Sequence, residues 1–400
     1  MTRLAEPQRS GLLPLALSLT IALGFFGAQA ARAQTYTVLH AFNGHPDGDS
    51  PFAGVTLDAA GNIYGTASQG GNHHGGGHQG DGTVWKVDKG VFSVLYTFTG
   101  GVGAGPQTPL LLDGKGNLYG TALSGGHFNG GSVYSVSPKG QAKELYALNR
   151  IPGPQGRLAL DRHRGILYGT TQDGGMGCNG GCGTVWRLAP AHRFTFLHKF
   201  RGAPDGATPV SGLVRDPAGN LYGATRFGGS VTQQCQQGCG TVFKVNRAGK
   251  KSILYSFQGG NDGIAPAGDL ALDANGTLYG TTTAGGGNGC STGGCGTVFK
   301  ITPSGQESVL YSFQNGSDDQ APNGGAVLDG NGGLYGTTSN TIFHVDANGK
   351  ETVLDTQKDC SNGCNFNGNL AMDAAGTLYG TTSSGGDPNC RCGVVFKLVP

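Results

Sequence analysis

Seven times along this chain of 400 residues an apolar residue is followed by Tyr-Gly, at Tyr64, Tyr119, Tyr168, Tyr222, Tyr279, Tyr335 and Tyr379. Successive tyrosines are 55, 49, 54, 57, 56 and 44 residues apart. Self-similarity at roughly 40 to 50 residues is what propellers and solenoids leave in a sequence, because each repeat is one supersecondary unit that buries its faces only against neighbours. The clearest copy spans residues 268–313, and variants of it recur to the C-terminus.

Within that copy apolar residues alternate in short runs separated by Gly, Pro, Asn and Asp, the signature of strands joined by turns. Four strands fit. Strand A is the run around Leu270 and Leu272, B is TLYGTT, C is GTVFKI and D is ESVLYSF. The A to B turn opens with an Asp in every copy: Asp58, Asp113, Asp161, Asp216, Asp273, Asp329 and Asp373. A carboxylate there accepts turn amides, so these residues read as turn formers and not as catalysts. Both faces of the strands are apolar or small, as expected for sheets sandwiched between sheets. Gly 77 and Pro 18 approach a low-complexity composition. They fall in register with the strands, and so mark turns and tight packing. Trp85 and Trp186 stand where other copies carry Phe in strand C, which makes them core positions.

The ends of the chain complement one another. Residues 35–42, TYTVLHAF, look like a strand D, while the chain closes on GVVFKLVP, a strand C. The expected fold is all-β: a seven-bladed β-propeller with four antiparallel strands per blade, in which residues 35–42 complete the last blade, built otherwise from residues 368–398. Such closure removes the open sheet edges that a linear array must cap. Residues 1–33 read as a signal peptide, with Arg3 and Arg9, the apolar run Gly11 to Phe26, and Ala28-Gln-Ala30 or Ala31-Arg-Ala33 as a cleavage site. That run is about 16 residues, short of the roughly 20 that span a bilayer. The expected product is a single propeller domain over residues 34–400, exported to the periplasm or beyond, with no stable membrane insertion after cleavage. A net charge of +2, thinly spread, marks no nucleic-acid surface.

The ordered recurrence of G-N/T-L-Y-G-T-T, G-T-V-F-K and V-L-Y-S-F across residues 36–398 resembles the GloVer-type (Gloeo/Verruco) tandem-repeat family of exported bacterial proteins. The resemblance implies a propeller-like repeat protein and no particular reaction. A looser likeness of LALDANGTLYG, residues 270–280, to NHL and senescence-marker-type propellers implies no metal ligand, since Gly-Thr-Thr stands where those families continue with an apolar residue and Asp.

In such a ring the A to B and C to D hairpins lie on one face, and the B to C loops and D to A crossovers on the other. Here the second set is long and irregular, at residues 68–81, 123–130, 172–182, 226–239, 283–295 and 383–392. Rigidly supported loops are where binding usually resides, so function is expected on that face. Only Ser339 and Asn340 join strands B and C of blade 6, leaving a low point that is either an entry or a degenerate copy. Ten cysteines lie there: Cys178 and Cys182, Cys235 and Cys239, Cys290 and Cys295, Cys360 and Cys364, Cys390 and Cys392. In an exported chain they read as disulfides, with zinc as the alternative. The spacing of Cys390 and Cys392 is awkward for a direct bridge, and a cross-link to Cys360 or Cys364 on the same face is the alternative.

Two further groups have metal-ligating chemistry. His45, His73, His74, His78 and His127 fall on one side of the loop face and suit zinc, although solvated polar loops explain them too. Asp47, Asp205, Asp262 and Asp318 follow a Phe in the crossovers and either rim the central channel, holding calcium, or simply form turns. No catalytic constellation stands out. The expectation is a binding or scaffold protein that engages a glycan or a surface protein. A metal-dependent lactonase or lyase of the propeller type and an architectural envelope protein are the alternatives.

Overall fold

The structure is a computed structural model that describes residues 1–2, 34–71, 80–149, 153–287, 290, 293–316 and 319–400. The expected signal peptide, beyond its first two residues, lies outside the described residues. By contacts the chain divides into Met1–Ala33 and Gln34–Pro400. The described part of the second unit is all-β and forms seven antiparallel sheets arranged in a ring, a seven-bladed β-propeller.

Blade 1 shows the plan: Thr56–Leu57, Ile63–Ala67, Thr83–Asp88 and Val91–Thr97 pair in sequence order. Blade 7 departs from it as the sequence implies. Ala371–Met372, Leu378–Thr382 and Val394–Val399 are completed by Thr35–Ala41, which pairs antiparallel with the last strand from Thr35 opposite Val399 to Ala41 opposite Val394. Both chain ends are thereby tied into one sheet.

The core lies between the blades. Among the described residues, buried apolar side chains form seven clusters, and each joins two consecutive blades. This explains why no strand shows a clean polar face: both faces of strands B and C, as in Thr297–Ile301, are buried. The Tyr-Gly repeat has a packing cause. Its glycine is directly opposite the strand C aromatic, Gly65 to Trp85, Gly280 to Phe299 and Gly380 to Phe396, and the ring lies across the space a side chain would take. Trp85 and Trp186 are fully buried there.

The tyrosine beside it reports the turn. Asp58 accepts the N–H groups of Ala60 and Asn62 on one oxygen, and the Asn62 amide and Tyr64 hydroxyl on the other. Asp113, Asp216 and Asp373 repeat the arrangement with Tyr119, Tyr222 and Tyr379. The threonines of YGTT and GTV are also paired, since Thr171 and Thr184, Thr225 and Thr241, and Thr282 and Thr297 bond hydroxyl to hydroxyl at 2.7 to 2.8 Å across strands B and C. Buried hydroxyls thus keep their hydrogen bonds within the sheet.

The innermost strand is longer than the apolar run indicates. In blade 5 it runs from Gly263 to Leu272, so the crossover itself pairs with strand B, Pro266 standing opposite Thr282. Proline is admissible because this strand is the inner edge of the sheet, where a missing N–H breaks no ladder. Just before the prolines of four inner strands a non-glycine residue takes a left-handed backbone: Ser50, Thr208, Ala265 and Ala321, with φ between 53 and 56°. Their N–H groups donate to the preceding blade, to the carbonyls of Cys392, Cys182, Cys239 and Cys295. That hydrogen bond holds an unfavourable backbone angle in place and locks one blade to the next.

Candidate functional site

On the B to C loop face the sulfurs pair as Cys178–Cys182, Cys235–Cys239, Cys290–Cys295, Cys360–Cys364 and Cys390–Cys392, with Cα separations of 4.8 to 5.2 Å. The open question of Cys390 and Cys392 resolves to a direct bridge, and Cys360 and Cys364 pair with each other. These bridges do more than order loops. In four blades the second cysteine supplies the carbonyl that receives the next blade's inner strand, so those four disulfides each brace a blade seam as well as their own loop.

The crossover carboxylates do not rim the channel, and this corrects the calcium reading. Asp47 accepts from His40 Nε2 at 2.7 Å and from the Asn43 N–H at 3.2 Å. Asp205 meets His198 at 2.8 Å and Lys251 at 2.7 Å. Asp262 accepts from the Tyr255 hydroxyl at 3.0 Å and the Gln258 N–H at 2.7 Å. His40, His198 and Tyr255 all lie on outermost strands. Each carboxylate latches its crossover back onto the rim of the ring, because a side chain two residues before the recurrent Phe projects to the same side as the turn that follows it. Burial works to raise the Asp205 carboxyl, but the hydrogen bonds from Lys251 and His198 outweigh it and hold the group below the usual carboxylate range. Asp318 lies outside the described residues.

Of the histidines, His73, His74 and His78 also lie outside the described residues. The His45 ring bonds the Gly71 carbonyl. His127 packs edge-on against Phe128 with centroids 4.7 Å apart, and its N–H donates to Glu144. Among the described residues, neither joins a cluster of metal-ligating atoms; the one such cluster is Asp49 with Cys390 and Cys392, whose sulfurs are already bonded to each other. The low point of blade 6 is covered. Asp319 accepts from the Thr338 hydroxyl at 2.9 Å and the Asn340 N–H at 3.2 Å, capping the short B to C turn.

The axis of the ring belongs to a residue that motif reading passed over. Asp269, on the inner strand of blade 5, accepts from the Gly212 N–H of blade 4 and from the side-chain amide of Asn369 in blade 7. Asn369 in turn accepts from the Gly325 N–H of blade 6 at 2.7 Å. Four blades thus meet through two side chains. Its trace in the sequence is the position four before each turn Asp, which reads Gly54, Pro109, Arg157, Gly212, Asp269, Gly325 and Asn369, each followed by an apolar residue. A position that refuses the repeat's rule is one that faces something other than the next blade.

Carbon-rich side chains are exposed at the tips of three consecutive B to C loops: Phe128 in blade 2 at 54%, Met176 in blade 3 at 58% and Val231 in blade 4 at 57%. The loops of blades 3 and 4 are the ones pinned by Cys178–Cys182 and Cys235–Cys239. On the opposite, hairpin face a cleft of about 680 Å³ opens between blades 2 and 3.

One carboxyl on the rim is poised in the neutral range. Burial, reinforced by the charge of Asp262, pushes Glu307 up to about 7, and one oxygen of each carboxyl is buried with no partner. A carboxyl raised in the folded state stabilises fully below its unfolded value and loses that contribution as pH climbs through the folded one. The protein is therefore expected to lose on the order of 2 kcal/mol between about pH 4.5 and 7 from this group, a slope that Glu307→Gln removes. Denaturant midpoints across that range check it, and parallel curves for the two proteins would disprove the assignment.

A sequence model of the Gloeobacter/Verrucomicrobia repeat matches residues 73–293, more than half of the chain. The chain belongs to that repeat family. No curated protein matches it. Among solved structures, the extracellular domain of BT4673 from B. thetaiotaomicron, assigned to a hybrid two-component system, is similar at 12% identity and a TM-score of 0.60 over 91% of this chain and 39% of that one. The corresponding domain of BT3049 gives 13% and 0.56 over 92% and 41%. This chain therefore spans about two fifths of the length of those domains. The gluconolactonase XC5397 of Xanthomonas campestris aligns with a TM-score of only 0.47 at 13% identity, over 93% and 92% of the two chains, too distant to carry any chemistry. At such identities the first two similarities establish the propeller fold of this repeat protein and nothing further.

Proposed function

We propose that this member of the repeat family is an exported, non-catalytic binding propeller whose B to C loop face engages a surface protein or a glycan. The row of exposed Phe128, Met176 and Val231 carries the proposal. Large apolar side chains held clear of the core on rigid loops are what interface centres are made of, and their exposure costs solubility unless something covers them. Five disulfides support export, since such bonds persist in oxidising compartments. The two similar structures are extracellular domains, which accords with it. Met and Val favour a protein partner, while Phe128 beside His127 would also stack on a sugar ring.

The test uses full-length protein against whole cells of the producing strain and against a glycan array. Replacing Phe128, Met176 and Val231 together by Ser is expected to lower binding at least tenfold with the melting temperature unchanged. Undiminished binding by the triple variant, or binding to neither surface by the wild type, would overturn the proposal.

A further inference from the structure

The cleft between blades 2 and 3 exists because this seam departs from the repeat. At three other seams the glycine ending the C to D turn seats against the outer-strand leucine carbonyl of the preceding blade: Gly140 on Leu95, Gly305 on Leu254 and Gly349 on Leu310. In blade 3 that place is taken by His192, whose ring bonds the Leu145 carbonyl and so occupies space that closes the seam elsewhere. Ala191 and His192 are consecutive non-glycine residues with φ of 61 and 58°. Side chains rarely accept that backbone at even one position, and outliers of this kind collect at functional sites. The A to B turn of blade 3 is also one residue longer, with seven residues from Asp161 to Tyr168 where Asp58 to Tyr64 spans six. The seam's core is thin: five fully buried apolar residues join blades 2 and 3, against seven to nine at each other seam among the described residues.

What lines the opening is chemically one-sided. Its floor is apolar, from Leu145, Leu160, Leu167 and Leu188, with Pro190 at the edge. Its rim carries Lys115, Lys143 and Arg162, with His192 beside them. The Arg162 guanidinium reaches across to the Leu112 carbonyl at 3.4 Å, so it is held over the seam. The lone carboxylate of the lining, Asp113, is occupied by its own turn, accepting from Asn117, Tyr119 and the Lys115 N–H. Those bonds hold Asp113 ionised, so one negative charge stands against three positive ones and the field at the rim stays positive.

We propose that this cleft is a binding site for a small amphipathic carboxylate, an alkyl or aryl chain resting on the leucines with its charge against Lys115, Lys143 and Arg162. A volume of about 680 Å³ is in the range of small-molecule sites. A forked guanidinium beside two ammonium groups suits a carboxylate head. An apolar floor selects against fully hydroxylated acids, because their hydroxyls would lose water and gain no partner. The site is on the face opposite the loop tips and stands independently of what those tips engage.

Calorimetric titration of the full-length protein with 4-phenylbutyrate, with its uncharged amide and with glucuronate tests it. Binding of phenylbutyrate, at least tenfold weaker binding of the other two, and a further tenfold loss in the double variant Lys143→Glu and Arg162→Glu are expected. Both substituted residues are exposed, so the melting temperature should hold within about 2 °C. No heat with phenylbutyrate at millimolar concentration, equal affinity for the amide or glucuronate, or full affinity in the double variant would each overturn the site.

Discussion

A chain lacking residues 35–42 is expected to lose its cooperative unfolding transition and to aggregate, although it keeps almost all of its strands. The deleted segment supplies the outer strand of blade 7, with backbone pairing from Thr35 to Ala41 along the whole last strand. It also contributes Tyr36, stacked on Phe396 with centroids 5.0 Å apart, and Phe42, fully buried between blades 7 and 1. The Phe42 N–H donates to the Gly393 carbonyl at 3.0 Å. Removing one fully buried Phe side chain costs about 3 to 5 kcal/mol. With a strand's hydrogen bonds and the exposed edge added, the loss reaches the whole stability of an ordinary domain, about 5 to 15 kcal/mol. Thermal melts followed by circular dichroism check this, and a synthetic peptide of residues 34–43 added in trans should restore the transition. A truncated protein that melts within a few degrees of the intact one would show that the ring is not closed here.

The second large effect is expected at the axis. Gly54 lies where the inner strands of blades 1 and 7 touch, and a Cβ there would fall 2.6 Å from the Asn369 nitrogen and 2.8 Å from its Cα. Backbone cannot swing aside as a side-chain tip can. Gly54→Ala should therefore cost more than about 3 kcal/mol and loosen the Asn369 contacts to Asp269 and Gly325. Gly61 is the control: it has a left-handed φ of 83° in a turn, yet a Cβ there meets nothing within 4 Å. Its replacement by Ala should cost only about 1 kcal/mol. Guanidinium unfolding of both variants decides the matter. Equal midpoints would mean that the inner strands part easily and that the axis is not a structural centre.

Much of this molecule could be read without coordinates. Tyr-Gly, the turn Asp and the strand D sequence at the N-terminus all report contacts within one blade or between neighbours in a plan that recurs around the ring. Recurrence makes such contacts visible. Asp47, Asp205 and Asp262 were misplaced because a motif shows that a carboxylate recurs without showing which way its crossover folds. It folds outward onto His40, His198 and Tyr255.

The sequence by itself determined the number of blades, the order of strands and the manner of closure, because all three follow from local alternation and turn chemistry repeated in register. Only the tertiary structure decided that Asp269 and Asn369 meet at the axis, that disulfide-bonded cysteines brace the seams, and that blades 2 and 3 part to leave a cationic cleft over leucines. Those features join residues from different blades. Such meetings are set by the twist of each sheet and the closing angle of the ring, which leave no period in the chain.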